Sequence, residues 1–253
     1  SVEDLYVAEN SVRDAVRGIT FQVFNGEILG VAGVEGNGQT ELAEALIGTR
    51  KVKSGKILIK NEDVTGLSTK RRLNMNMGYV APNRMKEGVA LDLSVCENLV
   101  VGVHDRPPIA KGGFMDWKKA DERGGELIER FAIKTQDKHE RARNLSGGNV
   151  QKIVIGRELG REPELVVASQ PTRGIDIGST EQIHQALIDL RNRDGAVLLI
   201  SSDLDEIMEV SDRIIVMFEG EITGVLRSNE FSRKRLGELM FGRTEEGGNE
   251  SEE

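Results

Sequence analysis

Residues 33–40 read Gly-Val-Glu-Gly-Asn-Gly-Gln-Thr and stand between an apolar run, Ile-Leu-Gly-Val-Ala (28–32), and a segment with apolar residues at helical spacing (41–47). A buried strand that ends in a glycine-rich turn and opens directly into a helix is the building unit of an α/β sheet. Glycines let the backbone wrap an anion with its N–H groups, and the helix start behind them carries the positive end of its dipole. The spacing matches the phosphate loop G-x-x-x-x-G-K-[ST] at Gly33, Gly38 and Thr40, but Gln39 stands where the lysine belongs. That lysine would pair with the β/γ-phosphates. A hydrogen bond to a charged group contributes roughly 1.5–3 kcal/mol, so its absence weakens nucleotide binding about tenfold to over a hundredfold. A dinucleotide-binding fingerprint fails, because Glu41 falls where its third glycine is needed. Taken alone, the segment also reads as a β-to-α turn that binds nothing.

The rest of the chain supplies the sheet. Residues 19–23 and 28–31 read as strands joined at the Asn25-Gly26 turn, and 56–60 alternate like an exposed antiparallel strand. Residues 165–168 and 197–200 are the continuous apolar runs of buried parallel strands, with an amphipathic helix (181–190) between them. From 94 to 157 helices dominate and no strand is expected. Ser94-x-x-Glu97 is a capping box that opens a helix through Val101, and 117–131 is a charged amphipathic helix. This stretch reads as a helical lobe inserted between core segments 1–93 and 158–227 of a single domain, 1–243. Residues 213–217 and 221–226 form a hairpin, a last helix covers 228–241, and the acidic tail 244–253 should be disordered.

Composition narrows the function. The 253 residues carry 34 Lys and Arg against 42 Asp and Glu, a net charge of −8, which argues against a nucleic-acid partner. One cysteine, Cys96, excludes a disulfide framework, and His104, His139 and His184 lack metal-ligand spacing. No run approaches the roughly 20 apolar residues of a membrane span.

Two more motifs follow in order. Residues 145–151 read Leu-Ser-Gly-Gly-Asn-Val-Gln at the start of an apolar helix, with Ser146 as cap and anion donor. Residues 165–176 read Leu-Val-Val-Ala-Ser-Gln-Pro-Thr-Arg-Gly-Ile-Asp: a buried strand, two polar residues at its end, and a turn. In this order and spacing, from about Leu5 to Arg227, the chain resembles the nucleotide-binding domains of ABC transporters, whose signature is LSGG. The resemblance implies a P-loop NTPase (RecA-like) core with an antiparallel β subdomain and an inserted helical lobe. It assigns Gly33, Gly36, Asn37, Gly38, Gln39 and Thr40 to the domain's own ATP loop. Ser146, Gly147, Gly148 and Gln151 would complete the ATP site of a partner.

Against the family pattern the defects fall in one place. The Asp-Glu pair expected after the second strand is Ser169-Gln170, and the histidine expected after the next strand is Ser202. Pro82 stands where a glutamine is expected, and no aromatic residue for the adenine appears in Ser-Val-Arg-Asp-Ala-Val (11–16). Thr40 could still ligate Mg²⁺, weakly without a carboxylate nearby. Gln170 can orient a water and cannot take its proton. Little or no ATP hydrolysis is therefore expected from this domain alone. The resemblance is greatest to the second, degenerate ATP-binding half of simple-sugar or nucleoside importers, more like the nucleoside branch, and Ser1 fits an excised C-terminal half. It implies a second complete ABC domain, transmembrane permease subunits and, indirectly, a periplasmic or lipoprotein substrate-binding protein, with peripheral attachment on the cytoplasmic side of the membrane. A non-hydrolytic regulatory or scaffold module without a membrane partner is the competing class.

Smaller features complete the expectations. Met75, Met77 and Met85 read either as a soft surface for a membrane subunit or as core filling. Arg84 and Lys86 read as partner contacts or solvated charges, Cys96 as an inert small hydrophobe, and Trp117 as lobe core. Arg173 and Asp176 lie in a turn that crosses the dimer interface in family members, so Asp176 is the candidate coupling residue.

Overall fold

Val2, Leu5 and Val7 are buried on a strand that runs Val2–Ala8 (β1), although their spacing is not strictly alternate. The break is local: the pairing with the next strand, Asp14–Phe21 (β2), shifts register between Val2 and Leu5, and Asp4 adopts φ 45°. That bulge hides the period-two signal, and the strand is not evident from sequence. The computed structural model describes residues 1–10 and 12–243, so the acidic segment 244–253 lies outside the described residues. The chain continues with β3 (Ile28–Ala32), α1 (Gln39–Ile47), β4 (Ser54–Ile59), β5 (Glu62–Asp63), α2 (Thr69–Asn74), β6 (Met77–Val80) and α3 (Val95–Val100). A short pair, β7 (Ala110–Lys111) and β8 (Phe114–Met115), precedes α4 (Trp117–Arg130) and α5 (Gly147–Leu159). Then come β9 (Leu165–Ser169), α6 (Ile177–Arg191), β10 (Ala196–Ser201), α7 (Leu204–Val210), β11 (Arg213–Phe218), β12 (Glu221–Arg227) and α8 (Arg233–Met240).

The described residues divide into two compact units, each taken here by itself: Ser1–Tyr79 with Glu164–Gln170 and Ile188 onward, and Val80–Pro163 with Pro171–Leu187. The lobe read at 94–157 lies within the second unit. In the first, a sheet of order β12-β11-β3-β10-β9-β6 has β3, β9, β10 and β11 parallel, with β12 antiparallel at one edge. These parallel strands are apolar through their interiors because both faces are covered. In β11 the covering alternates: Ile215 and Met217 pack with α1, while Ile214 and Val216 pack with Ile207 of α7 and Leu236 and Leu239 of α8. An antiparallel sheet, β2-β1-β4-β5, covers the far side of α1.

Arg72 of α2 anchors the C-terminal end of α1. Its guanidinium is 1% exposed and donates to the carbonyl oxygens of Ala45 and Leu46 at 2.6 and 2.8 Å, and to Thr65 and Leu67 at 2.7 and 3.1 Å. A cation there meets the negative end of the helix and pairs carbonyls left open by its last turn.

Several expectations need correction. The Asn25-Gly26 turn does not close a hairpin: β2 belongs to the antiparallel sheet and β3 to the parallel one. The lobe does contain strands, β7 and β8, joined at Gly112-Gly113 with φ 61° and 85°; two residues each are too few to show alternation. The last helix begins at Arg233 rather than 228, because Ser232 caps it by accepting from the Arg235 N–H at 3.1 Å. Trp117 is 61% exposed, while Val100, Ile109 and Ala120 form a buried cluster of the lobe. Met77 is core and Met75 packs against it, whereas Met85 is 44% exposed.

Candidate functional site

The parallel strands set the geometry of the first unit. β10 lies between β3 and β9, with Ser201 opposite Ala32 and Ile200 opposite Ser169. The residues that follow these ends (Gly33, Ser202 and Gln170) therefore emerge on one carboxyl edge, where open α/β sheets bind ligands. The Gly33–Thr40 loop is pinned there through Asn37. Its Oδ1 accepts from the Glu219 N–H at 2.7 Å, its Nδ2 donates to the Val34 carbonyl at 3.0 Å, and its own carbonyl accepts from Gly220 at 3.2 Å. Gly38 adopts φ 99°, and a Cβ on it would stand 2.2 Å from the Ala15 carbonyl oxygen, so only glycine fits. Gln39 is 7% exposed and folds back on the loop, donating from Nε2 to the Val34 carbonyl at 3.1 Å. Thr40 is exposed beside it.

The strand ends carry no charge at the expected positions. Ser169 is buried at 2% exposure. Gln170 sits at φ 49° and donates its N–H to the Ile200 carbonyl at 2.7 Å. Its Oε1 accepts from the N–H and hydroxyl of Ser202 at 3.4 and 3.3 Å. Two of the sequence-read positions thus meet, as a neutral pair. A hard divalent cation wants several oxygens, carboxylates above all. Here Thr40 offers one hydroxyl, and among the described residues no group of three or more His, Cys, Asp or Glu could hold a metal ion. The donor set does not fit a firmly held Mg²⁺.

The second unit gathers the other motif. Ser146 is the N-cap of α5 and is exposed; its hydroxyl accepts from the Asn149 N–H at 3.5 Å and from its Nδ2 at 3.0 Å. A Cβ on Gly148 would stand 2.5 Å from the Ser179 hydroxyl and 2.8 Å from Asp176 Oδ2. Asp176 in turn accepts from the Ser179 N–H at 3.0 Å and hydroxyl at 2.9 Å at the start of α6. These hydrogen bonds hold its carboxyl below the usual value of 3.8, with Lys152 adding to the effect. Arg84 ties in the preceding turn, donating to the carbonyls of Arg173 at 2.6 Å and Gly174 at 3.0 Å. A Cβ on Gly147 would meet the same guanidinium at 2.8 Å.

Three sequence readings change here. Gln151 is 2% exposed, facing the interior of its unit, so it is absent from the exposed rim that Ser146 and the half-exposed Asn149 form. Arg84 organises the 173–174 turn through the Arg173 and Gly174 carbonyls, a role that its sequence neighbours do not signal. Asp176 does lie beside the glycine pair, but as the cap of α6. Cys96 matches its expected inertness: it is buried, and burial with Asp121 beside it pushes the thiol up to about 11.

Comparisons with known proteins bear on both units. The family model described as ABC transporter matches residues 16–173. The nucleoside import ATP-binding protein NupA of Lactococcus lactis subsp. cremoris is 42% identical over 241 residues, 95% of this chain and 48% of its own. The guanosine import ATP-binding protein NupO of Bacillus subtilis is 38% identical over 97% of this chain and 48% of its own. The chain thus spans about half the length of these curated relatives. A solved ATP-binding cassette, in a dimeric post-hydrolysis state bound to ADP and Pi, superposes with TM-score 0.78 at 22% identity, covering 91% of this chain and 99% of that one. That likeness establishes the mixed α/β cassette fold.

Proposed function

From the premise that the chain belongs to the ABC transporter family, we propose that it is the ATP-binding, energy-coupling domain of a nucleoside importer whose productive hydrolysis takes place on a partner's phosphate loop. The observation that carries this is the contrast in charge and completeness. The domain's own site combines Gln39 of the loop with Ser169, Gln170 and Ser202 at the strand ends, while the Ser146–Gly148 helix start is exposed at its tip and braced by Arg84 and Asp176.

The division of labour follows from phosphoryl-transfer chemistry, which depends on positioning and on charge at the transferring phosphoryl group. In the own site Gln39 spends its amide on Val34 and Gln170 its oxygen on Ser202. Neither can take a proton from water, so hydrolysis there is slow. The Ser146 hydroxyl and the α5 N-terminus offer donors to an anion arriving from outside. A second, complete ABC domain supplies that anion, its bound ATP. Arg84 and Asp176 are positioning residues, holding the turn and cap against Gly147 and Gly148.

The names of NupA and NupO support nucleoside as the cargo class, while other relatives are named for glucose or ribose import. Permease subunits that carry the cargo, a substrate-binding protein that delivers it, and attachment on the cytoplasmic side of the membrane complete the proposal. No helix among the described residues is long and apolar enough to cross a membrane by itself.

The test is ATP turnover by this chain alone and mixed with a complete partner domain. The expected result is negligible turnover alone and clear turnover in the mixture. Ser146→Ala or Gly147→Asp abolishes the mixed activity, and Gln39→Ala scarcely changes it. Turnover by the isolated chain at the rate of a complete domain would falsify the proposal.

A further inference from the structure

We infer that the loop of the first unit takes a nucleotide by its diphosphate alone, reading neither the γ-phosphate nor a divalent cation, so that ADP and ATP fill it equally. The inference rests on the proposed reading in one respect, that a nucleotide enters this loop.

A phosphate loop grips in two ways. Its backbone N–H groups and helix start hold the α- and β-phosphates, which ADP and ATP share. Discrimination between the two must come from side chains at the γ position. Gln39 offers a neutral amide that is already committed to the Val34 carbonyl at 3.1 Å. The Gln170 oxygen is committed to Ser202, and its amide, like that of Gln39, is neutral and supplies no charge to separate ATP from ADP. Ser169 is buried and uncharged.

The neighbouring cation is also spoken for. Arg17 borders the loop through Gly220, whose carbonyl accepts from the Arg17 N–H at 2.8 Å. Its guanidinium donates to the Glu219 carbonyl at 2.7 Å and faces the carboxylates of Glu219 and Glu221 at 3.8 and 3.5 Å. Glu35 adds an acid within the loop itself. None of these groups offers the extra negative charge of ATP a positive partner, and Ser169 and Gln170 bring no carboxylate to recruit Mg²⁺ to the γ-phosphate. The backbone part of the diphosphate cradle, in contrast, keeps its glycines: Asn37 pins the loop to the β11–β12 turn, and a Cβ on Gly36 would meet nothing within 4 Å, leaving the approach open.

A loop of this kind is a site of occupancy. Its occupancy follows the total nucleotide concentration and not the ATP:ADP ratio. Titration calorimetry of the 253-residue chain with ATP and with ADP, each in Mg²⁺ and in excess EDTA, measures the four constants that decide the matter. The expected result is that all four agree within about threefold, under 1 kcal/mol. A preference for ATP over ADP of about tenfold or more, a tenfold gain from Mg²⁺, or no binding of either nucleotide overturns the inference.

Gln39→Lys sharpens the test by restoring an ammonium at the γ position. It should raise the ATP:ADP affinity ratio about tenfold, the worth of one charged hydrogen bond. An unchanged ratio in a folded Gln39→Lys chain counts against the inference; should that variant fold poorly, the four wild-type constants decide alone. These outcomes are separable from the proposed function. The mixed turnover and its loss in Ser146→Ala depend on the second unit, and they stand or fall whatever the four constants are.

Discussion

The Gly33–Thr40 loop and the Ser146–Gly148 helix start are both glycine-rich openings of a helix, and they differ in what the glycines serve. At Gly38 the backbone itself demands glycine, through φ 99° and the Ala15 carbonyl against it. At Gly148 the demand comes from side chains, the Asp176 carboxylate and the Ser179 hydroxyl. At the ends of β9 and β10 and at the loop's last turn the side chains are neutral, Gln39 on the Val34 carbonyl and Gln170 on Ser202. Those around the helix start are charged and support an exposed tip. A phosphate-shaped backbone is thus separable from the charges that do chemistry on the phosphate. On the proposed function, the first region keeps the shape, and the second serves an anion it does not itself hold.

Substitutions can break or sharpen that contrast. Gly148→Asp places a second carboxylate against Asp176, and the mixed ATP turnover should fall by about a hundredfold or more, while ATP binding by the isolated chain is unchanged. A loss of binding as well would join the two regions that the contrast separates. Arg72→Met leaves the carbonyls of Ala45, Leu46, Thr65 and Leu67 short of a donor behind the loop helix. It should cost about 3 kcal/mol, lowering the melting temperature by roughly 6–12 °C in a calorimetric scan.

Arg84→Ala frees the Arg173 and Gly174 carbonyls, and the mixed turnover should drop about tenfold with own-loop affinity untouched. If nucleotide affinity moved instead, Arg84 would belong to the first region's function. Asn37→Ala unpins the loop from Glu219 and should cost about 1 kcal/mol of stability, read by denaturant titration.

The smallest effect is in pH. Asp176 has a lowered pKa, so its contribution to stability is fully present above the ordinary value of 3.8 and is lost as pH falls through the lowered one. Denaturation midpoints of the wild type should therefore fall across that acid range more steeply than those of Asp176→Asn. Equal slopes would remove the carboxylate from the account of the second region.

The glycines and Thr40 of the loop, Ser146, and the buried strands were legible because each signal is local: a motif spacing, a cap, an apolar run. The capping box at Ser94 and Glu97 is read the same way and is present in full. The β1 strand was not legible, because a bulge breaks its alternation, and the β7–β8 pair is too short to alternate at all. Trp117 misled because an apolar ring at a helix start says nothing about which way that start faces. The burial of Gln151 was equally hidden, since a glutamine two residues past a signature reads as exposed until the helix is packed.

The sequence by itself determined the α/β class, the place of the glycine-rich loop before its helix and the identities of Gln39, Ser169, Gln170 and Ser202. Each of these depends on residue identity at a fixed chain spacing. Only the tertiary structure decided what the substitutes do. Gln170 finds Ser202 across 32 positions, and Arg84 finds the Arg173 and Gly174 carbonyls across 89 and 90. Even Gln39, five residues from Val34, closes on the loop only in a rotamer that burial selects. A hydrogen bond needs its partner within about 3.5 Å, and packing of the strands and turns, rather than chain spacing, brings these partners together.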